Sequence, residues 1–233
     1  MASRRLIRIR TENNKSLKIS YKGCSDLFSS KWNIKIYNSG TVVCTDLVPL
    51  RKYAVGKFKL PDPSLKLIKC DDSGWGFPLC GILIGLEFNR KIYVGEIGVE
   101  YFKSPSFEKK EYLKKYSDEG IKILNKKIGA NPKTHRIEIC TGYVNGTLRD
   151  DLRELGYDVR TVEITGLLQN KLEIYYKMYI KKKTGVDLAY DPKEVTKKQL
   201  VFEYHKALEW GQKYAPHLLK SGWQSMKDKG ITG

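Results

Sequence analysis

Two adjacent carboxylates, Asp71 and Asp72, end the apolar run Leu67-Ile68-Lys69-Cys70 and lead into Ser73-Gly74-Trp75-Gly76-Phe77-Pro78 before a second apolar run opens at Leu79. If both runs are strands, the acids sit where a strand leaves its sheet, beside backbone that glycine leaves open to a ligand. Carboxylates fixed at such a place can hold Mg²⁺, with Mn²⁺ as the substitute, for phosphodiester hydrolysis. In a chain of formal charge +17, two such carboxylates are costly to bury unless a cation lies between them. Asp and Gly also dominate turns, so on spacing alone a plain hairpin turn over residues 71–74 is the alternative.

The elements that would hold these acids follow from periodicity. Residues 66–70, 79–88 and 92–102 read as three successive strands, joined by the aspartate turn and by Asn89-Arg90. Residues 106–128 read as a helix with Ser106 as its N-cap, and Tyr112, Tyr116, Ile123 and Leu124 contribute to one apolar stripe. Residues 136–143 form a buried strand, 147–155 a short helix ended by Gly156, and 157–164 a fifth strand. Helices follow over 167–183 and 195–214. Three hairpin-linked strands and two more reached through helices imply an α/β fold with a mixed five-stranded sheet and helices on its faces. Upstream, residues 3–60 alternate in a β-like way, with Asn38-Ser39-Gly40 as a hairpin turn. Leu60-Pro61-Asp62-Pro63 breaks any regular element. Two domains are therefore expected: a small basic β-rich module over 1–63, and an α/β domain over 64–233.

The chain carries 43 Lys and Arg against 26 Asp and Glu, which points to a polyanionic partner, most simply nucleic acid. The excess is uneven. Residues 1–63 hold 13 basic and 4 acidic side chains, residues 64–166 hold 17 and 15, and residues 167–233 hold 13 and 7. Basic flanks around a nearly neutral middle suit phosphate contacts around an acidic catalytic cluster. Five cysteines without a C-x-x-C pair read as small buried hydrophobes, which implies a reducing compartment. No apolar run reaches the ~20 residues of a membrane span, and Met1-Ala2-Ser3-Arg4-Arg5 opens no signal-peptide stretch. A cytoplasmic protein without a membrane partner is expected.

The segment Asp71-Asp72-Ser73-Gly74-Trp75-Gly76, continuing to Gly81, resembles the first motif of type 2 and type 3 ribonucleases H, Asp-Glu-x-Gly-x-Gly followed by a further glycine. The stretch Ile34-Lys35-Ile36-Tyr37-Asn38-Ser39-Gly40-Thr41-Val42 is similar to the Tyr-x-Ser-Gly-x-Val hairpin in the small N-terminal domain of the type 3 enzymes. The resemblance covers roughly the first hundred residues. It implies a ribonuclease H-like domain behind a TATA-box-binding-protein-like module that grips a hybrid duplex. It also implies a metal-dependent endonuclease, with the RNA strand of RNA/DNA hybrids as first substrate. Asp72 stands where the family has Glu, and Trp75 where type 2 enzymes carry a basic residue. The family's next carboxylate, at the end of the fourth strand, is matched only by Glu138, as in RuvC-type resolvases. The last, from the helix after the fifth strand, is matched by Glu173.

The catalytic and metal-ligating set is thus Asp71, Asp72, Glu138 and Glu173, with Asp150 and Asp151 as weaker candidates. For nucleic-acid contact, Arg8, Arg10, Lys35, Tyr37, Arg51 and Lys52 interleave charge and aromatic surface in the basic module, and Gly74, Trp75 and Gly76 border the acids. The competing readings are a branched-DNA resolvase of the same fold and a non-catalytic nucleic-acid-binding protein with a degenerate acid cluster. No phosphate-binding loop, dinucleotide fingerprint, HExxH or Ser-His-Asp order is present.

Overall fold

The structure, a computed structural model, describes residues 62, 64–190 and 195–223 (Lys197 by its backbone only) and the backbone of four strands nearer the N-terminus. The chain divides into two compact units, Met1–Leu65 and Lys66–Gly233. In the first, β1 (Arg8–Glu12), β2 (Ser16–Ser20), β3 (Ile34–Ile36) and β4 (Thr41–Cys44) form an antiparallel sheet in the order β1-β2-β4-β3. Arg10 lies opposite Lys18, Lys18 opposite Val43, and Val43 opposite Lys35. Of the expected nucleic-acid contacts, Arg8, Arg10 and Lys35 belong to this sheet. Tyr37, Arg51 and Lys52 lie outside the described residues.

The second unit is built on β5 (Lys66–Ser73), β6 (Ile82–Phe88), β7 (Lys91–Ile97), β8 (His135–Cys140) and β9 (Asp158–Val162), in the order β7-β6-β5-β8-β9. Only β6 runs against the rest: it pairs antiparallel with β5 and β7, while β8 is parallel to both β5 and β9. Among the described residues four α-helices accompany this sheet: α1 (Glu111–Ile123), α2 (Gly146–Glu154), α3 (Leu167–Thr184) and α4 (Lys197–Tyr214).

Strand alternation divides the core in two. Ile68, Ile84, Leu86, Ile137 and Ile139 pack with Tyr112 and Tyr116 of α1 and Leu148 of α2. Leu83, on the opposite face, packs with Leu172, Tyr176 and Ile180 of α3 and Leu208 of α4. Helix α3 buries Leu168, Leu172, Tyr176 and Ile180, one residue per turn, so a single stripe faces the sheet. It approaches closely because Gly85 of β6 has no side chain: a Cβ there would meet Leu172 at 2.9 Å.

Some boundaries differ from the sequence reading. Asp71, Asp72 and Ser73 are not a turn; they stay in the ladder opposite Gly85, Ile84 and Leu83, and the chain leaves the strand only at Gly74, φ 93°. Strand β6 begins at Ile82 because Cys80 adopts a left-handed φ of 59° and Leu79 bridges to Leu219 instead. Strand β7 ends at Ile97, and Val99–Phe102 is a 3-10 turn. Helix α1 starts at Glu111 because Lys110, φ 58°, is left-handed, so Ser106 is not its cap. Among the described residues no helix is long and apolar enough to cross a membrane.

Candidate active site

The carboxyl ends of neighbouring parallel strands are where α/β sheets present ligand sites. Asp71 and Asp72 occupy that end of the central strand, and Cys140 closes the adjacent β8, one position beyond the Cys70–Ile139 pair. Asp71, Asp72 and Cys140 each offer a donor atom within 4.8 Å of the others'. Asp71 is only 6% exposed. Two carboxylates this near each other, away from water, resist joint ionisation. Burial, and then the charge of Asp71, push Asp72 up to about 7. The same burial pushes the Cys140 thiol to about 11.

Neighbouring side chains hold the acids. The Asn145 amide donates to Asp72 Oδ1 at 3.0 Å, and the buried Tyr116 hydroxyl donates to Asn145 Oδ1 at 2.8 Å. Ser73 Oγ donates to Glu173 Oε2 at 3.0 Å, which ties α3 to the tip of β5. Behind the following loop, the fully buried Lys220 donates Nζ to the Gly74 carbonyl at 2.6 Å and sits over the Phe102 ring at 5.0 Å. Its burial lowers the ammonium to about 7. Lys220 is carried by a segment that runs along the loop: Cys80 N donates to the Leu218 carbonyl, Lys220 N to Pro78, and Gly222 N to Phe102.

The four expected acids part company. Asp71 and Asp72 are together. Glu173 stays outside the 4.8 Å group but reaches the strand tip through Ser73, and its charge acts on Asp72. Glu138 lies opposite Lys69, two residues short of the tip, and accepts from Arg136 Nη1 at 2.8 Å; it is not brought to the other acids. Asp150 pairs with Arg153, and Asp151 accepts from the Ser117 hydroxyl. Trp75 is half-buried among Phe102, Tyr112, Tyr143 and Trp223, with ring centroids 5.4–6.2 Å away. Gly74 has no room for a side chain, since a Cβ would overlap the Tyr176 ring, whereas Gly76 is exposed with nothing within 4 Å of that position. Sequence reasoning passed over Asn145, Tyr116, Ser73, Cys140 and Lys220.

Asp71 and Asp72 fit a hard divalent cation, with Glu173 next to them through Ser73. They supply oxygen donors, and burial, then the charge of Asp71, raises Asp72, a combination a bound cation would relieve. Cys140 does not fit Mg²⁺, which prefers oxygen to sulfur.

No protein-family model matches the chain, and no curated protein matches it. Strand order decides the fold: a central first strand, one antiparallel neighbour, parallel strands on the other side and acids at the central strand's end. That is the mixed-sheet order expected of a ribonuclease H-like α/β fold. Solved structures similar to the chain include a mutant of Bst-RNase HIII at 10% identity, covering 97% of this chain and 90% of that one with a TM-score of 0.45. Aquifex aeolicus RNase H3 is 13% identical, covering 92% and 90% with a TM-score of 0.36. The Mos1 transposase catalytic domain, solved with raltegravir and Mn, is 13% identical, covering 70% and 83% with a TM-score of 0.30.

Proposed function

We propose that this ribonuclease H-like domain is a metal-dependent nuclease that hydrolyses phosphodiester bonds in nucleic acid, with the RNA strand of an RNA/DNA hybrid as its first substrate. The observation that carries this reading is the pair Asp71–Asp72 at the tip of the central strand, with Glu173 bonded to the next residue, Ser73.

Asp71 and Asp72 would hold the cation, and Glu173 would support it from α3. A bound divalent ion would supply charge neutralisation at the phosphate and a water more acidic than bulk water. The chain's own residues do the positioning. Asn145 and Tyr116 fix the Asp72 carboxylate, and such supporting partners commonly matter ten- to a hundredfold. Lys220, on the Gly74 carbonyl, holds the strand exit in one conformation. In the sheet of residues 8–44, the line of Arg10, Lys18 and Lys35 suits phosphates along a duplex.

One observation favours a second reading, a binding protein without cleavage. Beside Asp71 stands a thiol, Cys140, where a further carboxylate would complete the set. The Arg136 pairing of Glu138 argues against the resolvase alternative, which needs that glutamate at the site.

The test is cleavage of a labelled RNA/DNA hybrid, duplex DNA and a four-way junction in Mg²⁺, Mn²⁺ and EDTA, by the full chain and by Asp71→Asn. Metal-dependent cutting lost in Asp71→Asn supports the nuclease. Salt-sensitive binding by both proteins without cutting in either metal supports the second reading.

A further inference from the structure

A cavity of about 340 Å³ opens beside the acids, between α3, α4 and the turn after β5. We infer that this cavity is a nucleobase pocket, which takes one base turned out of the strand whose phosphate sits at Asp71 and Asp72. The inference rests on the nuclease reading and extends it to a specific part of the substrate.

The walls are mostly aromatic and aliphatic, with Glu173 and His205 as their polar members. Phe77 meets Tyr176 and Tyr190 edge to face, with centroids 5.9 and 5.7 Å apart, and Leu200, Val201 and Tyr204 of α4 complete the enclosure. The Tyr176 hydroxyl is committed to the carbonyls of Leu79 and Gly81, so its contribution to the wall is its ring. The volume lies at the small end of the ~300–1,000 Å³ typical of ligand clefts, too small for a duplex and adequate for one base. Phosphate would meet the Glu173 carboxylate there, and a hydrated cation would find that single acid against largely apolar walls. A planar base stacks on aromatic rings whatever its sequence.

Continuity with the acids selects a nucleobase over other apolar groups. Glu173 lines the cavity and also accepts the Ser73 hydroxyl, two residues from Asp71. Gly74 and Gly76 form the same edge, and Gly76, with no side chain and no atom within 4 Å of where one would be, lets a sugar–phosphate backbone come close. A strand lying on the acids therefore passes the mouth of the pocket. Turning a base out costs least where it is unpaired, mismatched or damaged, so the pocket favours cutting beside bulges, junctions and single-stranded positions.

The test places 2-aminopurine at successive positions of the labelled strand in an RNA/DNA hybrid and in duplex DNA. Each is bound by full-length Asp71→Asn protein in EDTA. The expected result is an emission change of about twofold or more at one position next to the cleavage site, lost when Val201→Trp fills the pocket and reduced in Tyr204→Ala. Val201 is 56% exposed, which makes the larger side chain compatible with folding. Replacing the responsive base by an abasic residue should weaken binding about fivefold in Asp71→Asn and leave the pocket-filled variant unaffected. Equal emission at every position, or a response unchanged by Val201→Trp, overturns the pocket. Metal-dependent cutting with no responsive position would sink the pocket and leave the nuclease reading standing. A responsive position with no cutting in either metal would do the reverse, and absence of nucleic-acid binding would end both.

Discussion

Asn145 and Asp72 lie 73 residues apart in sequence and are joined by one hydrogen bond of 3.0 Å, whose donor is held in turn by the Tyr116 hydroxyl. Asn145 is fully buried, as is Tyr116. The amide thus serves a buried hydroxyl and a half-buried carboxylate at once. Asn145→Ala leaves both without it, which costs about 1–3 kcal/mol of stability for each stranded group. Urea denaturation should show the loss. Because the Asn145 bond is one of the influences that lower Asp72, the same change should move the alkaline rise of metal-dependent activity to higher pH. An unmoved pH profile would argue that Asp72 does not bind the ion.

Stability in EDTA should pass through a minimum near neutral pH. Asp72 keeps its proton to about pH 7 in the folded protein but loses it near 4 when unfolded. Folded protein therefore binds more protons between those values, and stability falls across that range by at most about 1.4 kcal/mol per pH unit. Lys220 works the other way. It is protonated only below about 7 when folded and up to about 10.4 when unfolded, so stability recovers as pH rises from 7. Unfolding free energies at pH 5, 7 and 9 test both limbs. Asp72→Asn should flatten the acid limb and Lys220→Met the alkaline one.

Substituting Cys140→Asp should put a third oxygen donor beside Asp71. Metal-free protein should become less stable, since three carboxylates then share one dry site. Mg²⁺ should bind about tenfold more tightly, a gain of about 1.4 kcal/mol, read as a larger rise in melting temperature on adding Mg²⁺. An equal rise in both proteins would mean that Cys140 is not at a ligand position.

The two outlying glutamates should behave differently. Glu173→Gln should weaken metal-dependent cleavage by about ten- to a hundredfold. Glu138→Gln should leave it within about twofold and cost no more than about 1 kcal/mol, the value of a partly exposed ion pair with Arg136. Equal losses in the two variants would show that Glu138 moves to the site on binding.

Much of the architecture was readable because it is local. The stripe Leu168, Leu172, Tyr176, Ile180 and the apolar runs of β5, β6 and β8 carry their period in the chain itself. Asp71 and Asp72 were legible as acids at a strand end, though only pairing to β6 shows that they remain inside the ladder. Cys140 could have been found by parity: in His135-Arg136-Ile137-Glu138-Ile139-Cys140 it shares a face with Glu138 and stands nearer the tip. Lys220 and Asn145 gave no such signal. A lysine in a polar tail is buried here because Phe102, Trp223 and the Gly74 carbonyl meet around it, and two of those partners, Gly74 and Phe102, lie far back in the chain.

The brace on Gly74 has a consequence in time. Lys220 follows Gly74 by 146 residues, which a ribosome adding about 5–20 residues per second covers in roughly 7–30 s. Throughout that interval the two aspartates are already part of the chain while the segment that fixes their strand exit does not yet exist. A nascent chain tethered beside messenger RNA therefore holds its acids without their final support, and the finished site is assembled only once that segment is free to dock.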